Sequence, residues 1–359
     1  ALEMKAPVKL ELSRTEDFMT SMPAPAARVW LKMGVRKDGA ICAIQAEIDI
    51  DNGVYAAASW CELLARLLAS GYKTPNLKID CREVLTHKPM AGPYRAPTAQ
   101  TASFAMESHM DDLARSLNLD PIEFRIKNAA SAGDPMVHGR PWPSLGLKEC
   151  LSALKESIAW KNRDSAENEG WGLAVGLWPC GVSPASAICQ MLRNGKVQVQ
   201  LGSVDISGIN SGFTQGVAEI LSVDPDCVEI VQGNSHAAPY APPSGGSQVS
   251  YSLIGAISEA TQNVKKQLTK LAADLFEASE NDLVFDEGSV HVAGLPSRKI
   301  KLEKLAEEAE SRKGGSGPVI ATASNSIEDN APAVAVHAVK VAVDSVSYTH
   351  LTLPTSDLV

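Results

Sequence analysis

Residues 94–128 read YRAPTAQTASFAMESHMDDLARSLNLDPIEFRIKN, and the pattern in this stretch decides the fold class. Met106, Met110, Leu113, Ala114 and Leu117 recur at helical spacing. Asp120-Pro121-Ile122-Glu123 then restarts a helix, with a capping carboxylate, a proline in the first turn and a capping-box glutamate. The helical pair is entered from a Pro/Gly loop, Ala91–Pro97, that carries Arg95. Upstream, residues 28–47 alternate around Lys37-Asp38-Gly39 and predict a hairpin. Two more hairpins are expected downstream, at 188–201 around Arg193-Asn194-Gly195 and at 283–292 around Asp286-Glu287-Gly288. Leu253, Ile257, Ala260, Val264, Leu268, Leu271 and Leu275 mark the longest helix, and residues 300–310 a short charged one. Residues 333–344 alternate as a clean strand. Hairpins followed by helices, without a βαβ alternation, give an α+β class with antiparallel hairpins and packed helices.

Composition narrows the function. Lys plus Arg is 33 and Asp plus Glu is 42 in 359 residues, so the formal charge is 33 − 42 = −9. A general nucleic-acid binder needs the opposite sign. The seven cysteines form no CxxC and are irregularly spaced, which argues against a disulfide framework or a zinc ribbon and for a reducing, cytoplasmic setting. Residues 170–192 lack charge, but Gly172, Gly176, Pro179, Gly181 and Pro184 interrupt them too often for a membrane span, and the stretch reads as strand, loop, strand. Residues 161–170 are charged and poor in apolar side chains. The expected organisation is therefore a first domain over 1–157, a linker over 158–170 and a second domain over 171–344. Residues 345–359 (SVSYTHLTLPTSDLV) carry no turn signal or core period. They resemble a translated adapter sequence and are expected to be a non-native tail without regular structure.

Two Gly/Ser-rich loops feed helices: SVDISGINSG at 203–212 and PPSGGSQVS at 242–250. Free backbone N–H groups and the positive end of a helix make such loops anion cradles, and glycine lets a phosphate approach the chain. Two in one domain suit a ligand with phosphates at two places. The plainer reading, that Gly and Ser only cap and turn, stays open. Arg95 could clamp a phosphate or carboxylate through paired N–H donors, or be an ordinary surface arginine. Asp49-Ile50-Asp51-Asn52-Gly53 mimics the start of a calcium loop but has no closing glutamate and continues a strand. No GxSxG, P-loop, HExxH or GxGxxG occurs. The seven histidines are scattered, and His109 falls on the polar side of its helix, where it is expected to be solvated or capping.

The Tyr94–Pro97, Ala102–Ala114 and Asp120–Asn128 segments together resemble the molybdopterin-binding large subunit of the xanthine dehydrogenase/aldehyde oxidase family, the molybdenum hydroxylases. Supporting segments are Pro7-Val8-Lys9-Leu10 with Arg14-Thr15-Glu16-Asp17, Gly53-Val54-Tyr55, Tyr72-Lys73-Thr74-Pro75-Asn76, Gly202-Ser203-Val204-Asp205 and Ser244-Gly245-Gly246-Ser247. The resemblance spans residues 1–344 and implies two consecutive α+β molybdopterin-binding units. It implies an oxidoreductase that hydroxylates a C–H carbon of an aldehyde, purine or N-heteroaromatic with water-derived oxygen. The cofactor would be molybdenum–molybdopterin, in the cytosine dinucleotide form, with electrons leaving to iron–sulfur clusters and FAD on a small and a medium partner subunit. Carried over, the cofactor-binding positions are Arg95, Ala96, Asp205, Ile206, Ser207, Gly208, Gly245, Gly246 and Ser247, and the substrate-facing ones Pro97, Leu177 and Trp178. The protein supplies no metal ligand. Ala96-Pro97 stands where many members have Gly-Phe, and Ile206-Ser207-Gly208-Ile209 where they read Met-Gly-Gln-Gly, which leaves the substrate open. The family's catalytic glutamate would follow Asp344 and a Gly-rich loop would precede Ala1. The chain therefore reads as an internal fragment, inactive by itself. The alternative is a non-catalytic nucleotide-binding or assembly module that reuses the fold.

Overall fold

A computed structural model describes residues 2–232, 234, 236–311, 317–329 and 332–352. The chain divides into two compact units, one made of residues up to Pro179 together with those from Pro332 onward, the other running from Cys180 to Ala331. This spatial division falls elsewhere than the 158–170 linker read from composition. Its cause is strand pairing between segments far apart in sequence, which no local pattern displays.

The first unit contains, in order, α1 (Arg14–Thr20), β1 (Ala26–Val35), β2 (Ile41–Gly53), α2 (Trp60–Leu68), β3 (Leu77–Leu85), α3 (Ala99–Ser116), α4 (Pro121–Asn128), α5 (Leu147–Glu156), α6 (Ile158–Lys161) and β4 (Glu169–Trp178). The hairpin expected around Lys37-Asp38-Gly39 is β1–β2, antiparallel, with β3 added in parallel on the far side of β2. Ile44, Ile48 and Ile50 from β2 are fully buried against Leu64 and Leu68 of α2 and Met106 and Met110 of α3. α4 starts as expected from Asp120, whose carboxylate accepts from the N–H groups of Ile122 and Glu123. The reciprocal half of the capping box is not made: Glu123 instead pairs with Lys155 of α5 at 2.5 Å.

The second unit contains β5 (Ala185–Met191), β6 (Val197–Gln200), α7 (Ile209–Leu221), β7 (Val228–Val231), α8 (Val249–Phe276), β8 (Leu283–Asp286), β9 (Ser289–Val292), β10 (Leu295–Lys301), α9 (Leu302–Ser311) and β11 (Ile320–Asn325). The sheet order is β11–β5–β6–β7, and a separate ribbon runs β10–β9–β8. The long helix α8 buries Leu253, Ile257, Ala260, Val264 and Leu268 against that sheet. This is the 3/4 spacing read from sequence.

The chain then returns to the first unit as β12 (Ala333–Val343), antiparallel to β4 over ten residue pairs from Ala333↔Trp178 to Ala342↔Glu169. β13 (His350–Thr352) folds back onto β12. The expectation that residues 345–359 lack regular structure is thus corrected for 350–352. An exposed turn is closed by the Asp344 carboxylate, which accepts from Val346 and Ser347, and it brings the chain back within ladder reach. Tyr348 itself is exposed, and Leu353 lies outside the described residues. Cys61 and Cys81 are joined by a disulfide. One bond is not the framework that the sequence argued against, but cysteine spacing cannot show that the first turn of α2 lies beside β3. No helix among the described residues is long and apolar enough to cross a membrane.

Candidate cofactor-binding site

The Arg95 loop is held at its base and open at its tip. Ala91 N–H donates to the Asn52 carbonyl and Gly92 N–H to the Pro23 carbonyl. A side chain at position 92 would meet Met22 Cβ at 2.5 Å, so only glycine fits there. Beyond this clamp, Ala96 (φ 52°) and Thr98 (φ 61°) both occupy the left-handed region on either side of Pro97. Thr98 is the residue at which α3 begins, yet its hydroxyl bonds the Pro97 carbonyl and caps nothing. The first turn of α3 therefore keeps its N–H groups and positive end without a side-chain acceptor. Arg95 is exposed and makes no ion pair among the described residues.

The second unit repeats this build twice. Ser207 (φ 62°) and Gly208 (φ 74°) are consecutive left-handed residues that lead into α7, whose start is also uncapped by its own N-terminal residue. Gly246 (φ 71°) and Ser247 (φ 59°) do the same before α8. Added side chains at Gly208, Gly212, Gly245 and Gly246 would meet nothing within 4 Å, so both loops present open backbone. Ile206 is half exposed and Ser207 and Ser247 lie on the surface. The Asp205 carboxylate accepts from the Asn210 N–H at 3.2 Å in the first turn of α7.

Several residues that support these loops escaped the sequence reading. Gln232, just after β7, ties together the two ends of the 203–212 loop, donating to Ser203 Oγ at 3.0 Å and exchanging amide bonds with Asn210. Gly202 lies so close to the Pro239 carbonyl that a Cβ would come within 2.2 Å, which brings the root of one loop against the approach to the other. Gly181 N–H donates to the Gly246 carbonyl, and Ser183 bonds Gln248 and Ser252. Only the glycine at 202 left a readable signal, as a close backbone approach.

Of the expected substrate-facing residues, Leu177 lines a cavity beneath the first turns of α3 with Gly71, Ala102, Ser103 and Glu107. Its volume of about 20 Å³ admits a water molecule, not a heteroaromatic ring. Pro97 does not line it, and Trp178 packs against the β1–β2–α2–α3 core.

Below this cavity lies a buried ionic cluster. Arg125 from α4 is fully buried and donates from Nε to Glu107 Oε2 at 2.8 Å. It also donates to the backbone carbonyls of Glu107, Pro121 and Leu173, and pairs with Asp111 at 2.8 Å. Glu107 accepts further from the Tyr72 hydroxyl at 2.6 Å and the Val175 N–H at 3.0 Å. Burial pushes the Glu107 carboxyl up, against the downward pull of Arg125. Burial and the adjacent carboxylate hold the Tyr72 phenol well above its ordinary range. For Arg125 the lowering effect of burial is outweighed by Glu107, Tyr72 and Asp111, so it stays charged. Tyr72, Glu107 and Arg125 all bond to protein groups, which marks the cluster as a scaffold for α3. His109 is not the solvated residue expected: its Nε2 is buried without a hydrogen-bond partner among the described residues, and burial lowers its pKa. No group of three or more His, Cys, Asp or Glu among the described residues could hold a metal ion.

The chain matches the molybdopterin cofactor-binding domain in two parts, over residues 1–129 and 148–355. It is 29% identical to the xanthine dehydrogenase molybdenum-binding subunit of Escherichia coli O157:H7, over 94% of this chain and 47% of that protein. The nicotine 6-hydroxylase large subunit of Paenarthrobacter nicotinovorans is 24% identical over 84% of this chain and 41% of its own length. Quinoline 2-oxidoreductase from Pseudomonas putida 86 superposes with a TM-score of 0.82 at 24% identity, over 95% of this chain and 48% of that one. The chain spans about half the length of the curated relatives it matches. It belongs to the molybdopterin-binding large subunits of the xanthine dehydrogenase/aldehyde oxidase family of molybdenum-dependent oxidoreductases.

Proposed function

We propose that this chain supplies phosphate- and pterin-holding loops to a molybdenum hydroxylase that oxidises a C–H carbon of an aldehyde, purine or N-heteroaromatic. The observation that carries the reading is the shared build of three loops, in which left-handed residues lead into a helix whose own N-terminal residue makes no side-chain cap. Such starts orient several N–H groups at one anion without the cost of displacing an internal acceptor. Arg95 and the backbone at Ala96 would hold an anionic part of the cofactor in the first unit. Backbone at Ile206–Gly208 and Gly245–Ser247 would do so in the second. When bound, the cofactor supplies the redox chemistry. Around it, this chain supplies guanidinium and amide donors, and Asp205 keeps α7 capped so that its remaining N–H groups face one way. The cytosine dinucleotide form, iron–sulfur and FAD partner subunits and a cytoplasmic site complete the proposal.

The first test is the thermal midpoint of the chain in pyrophosphate and in cytidine diphosphate. Both should raise it, and Arg95→Ala should weaken the effect on the order of tenfold, the worth of one charge-assisted hydrogen bond. The second is elemental analysis and dye reduction with aldehydes, purines and N-heteroaromatics on the whole subunit isolated with its partners. A subunit without molybdenum, or one that reduces dye with none of these substrates, would overturn the reading.

A further inference from the structure

We propose that Cys61 and Cys81 form a reversible thiol–disulfide pair that sets how firmly the first turn of α2 is held to the edge of the β1–β2–β3 sheet. The inference is independent of the cofactor assignment. The bond links positions 20 apart in sequence, from the start of α2 to the middle of the edge strand β3. Its two sulfurs are unequal. Cys61 is buried, at 6% exposure, whereas Cys81 is half-buried on an edge strand that solvent reaches. A small thiol therefore meets the Cys81 sulfur first.

The leaving group is also set by the fold. Cys61 lies in the first turn of the nine-residue helix α2, whose preceding Ser59 makes no capping bond. The amide dipoles of that turn favour a thiolate on Cys61, against the opposing charges of Glu62 in the same turn and of Glu83. The Glu83 carboxylate accepts from the Cys61 N–H at 3.0 Å and from Asn52 Nδ2 at 2.9 Å. Those same bonds, with the buried Leu64, Leu67 and Leu68, keep α2 beside β3 after the S–S bond opens. The two sulfurs stay within reach and can pair again. Cys42, Cys150, Cys180, Cys189 and Cys227 are not disulfide-bonded, so the bond is confined to this one pair among the described residues.

The chemistry balances with a low-molecular-weight thiol such as glutathione as reductant. Its thiolate attacks Cys81 Sγ, the S–S bond breaks and the electron pair leaves on Cys61 Sγ. A second thiolate attacks the glutathione sulfur of the mixed disulfide and expels Cys81. The protein disulfide becomes a dithiol and two thiols become one small disulfide. Glutathione disulfide drives the reverse.

The test is equilibration of the folded chain in glutathione buffers of graded ratio, followed by alkylation and peptide mass spectrometry. Cys61 and Cys81 should convert together, with unchanged far-ultraviolet circular dichroism and a thermal midpoint lower by roughly 5–10 °C in the reduced form. Cys81→Ser should show the reduced midpoint in every buffer, and Cys42→Ser should retain the shift. Trapped mixed disulfide should sit on Cys81. Alkylation of both residues in the most oxidising buffer, a bond that resists millimolar thiol until the chain unfolds, or an adduct on Cys61 would overturn the proposal. The wild-type titration stands by itself if the serine variant does not fold.

Discussion

In the first unit a guanidinium, two carboxylates and a phenol share the interior, and they come from four sequence-distant segments: Tyr72, Glu107 with Asp111, Arg125, and the backbone of β4. In the second unit the interior is apolar from β5 to α9, and its buried polar side chains among the described residues are the hydroxyls Ser203, Ser252, Thr261 and Ser289. Burying an ion pair brings little net stability, because desolvation offsets the attraction, but removing one partner is costly. Apolar packing behaves the other way, with a loss graded by the volume removed. The first unit should therefore fail abruptly and the second by degrees.

All six tryptophans lie in the first unit, so their fluorescence follows it selectively. The largest expected effect is Arg125→Met, which strands Glu107 without its charge partner and should cost the fluorescence-detected transition about 3–5 kcal/mol in urea. Leu268→Ala, from the middle of α8, should cost about 2–5 kcal/mol. That loss should show in far-ultraviolet circular dichroism while tryptophan fluorescence stays in place. If both signals move together in either variant, the two interiors are not separate and the contrast is broken. Asp120→Ala removes the cap of α4 and should take about 1 kcal/mol from the first unit. Acid sharpens the comparison further. Burial holds the folded pKa of His109 below its ordinary 6.5, so the stability it contributes is complete above pH 6.5. That stability declines as pH falls through that value toward the folded pKa, because the unfolded chain binds the proton first. The fluorescence midpoint should follow this decline, and His109→Gln should flatten it. Smallest, and of opposite sign, is Ala96→Gly, which relieves a left-handed alanine and should gain about 0.5–1 kcal/mol.

What could be read in advance followed from periodicity and turn chemistry. The three hairpins needed only alternation around an Asp-Gly, Asn-Gly or Glu-Gly turn, and α8 only its long 3/4 repeat. The 203–212 and 242–250 loops were visible as Gly/Ser-rich stretches ahead of helices. Elements without a local signature were not visible. β3 and β7 join in parallel through long connections, the Gln232 bridge spans twenty-two residues to Asn210, and the Cys61–Cys81 pair exists because α2 lies against β3. Arg125 and Glu107 stood inside the decisive motif. Their pairing follows from burial, and a sequence pattern shows only that both are charged. The capping box at Asp120 shows the limit from the other side: its residues are present, but Lys155 outcompetes the backbone for Glu123.

The pairing of Trp178 with Ala333 has one more consequence. The chain leaves the first unit at Pro179 and re-enters it at Pro332 through neighbouring rungs of the same ladder. In topological terms the second unit is inserted between two strands that are neighbours in the first. Such a junction is the kind that tolerates excision or exchange, since the host ladder sees the same two strands whatever is spliced between them. A two-residue Asn-Gly turn in place of 179–332 would close β4 onto β12 as an ordinary hairpin. The host should then fold as a continuous domain, and the same seam would accept a different passenger.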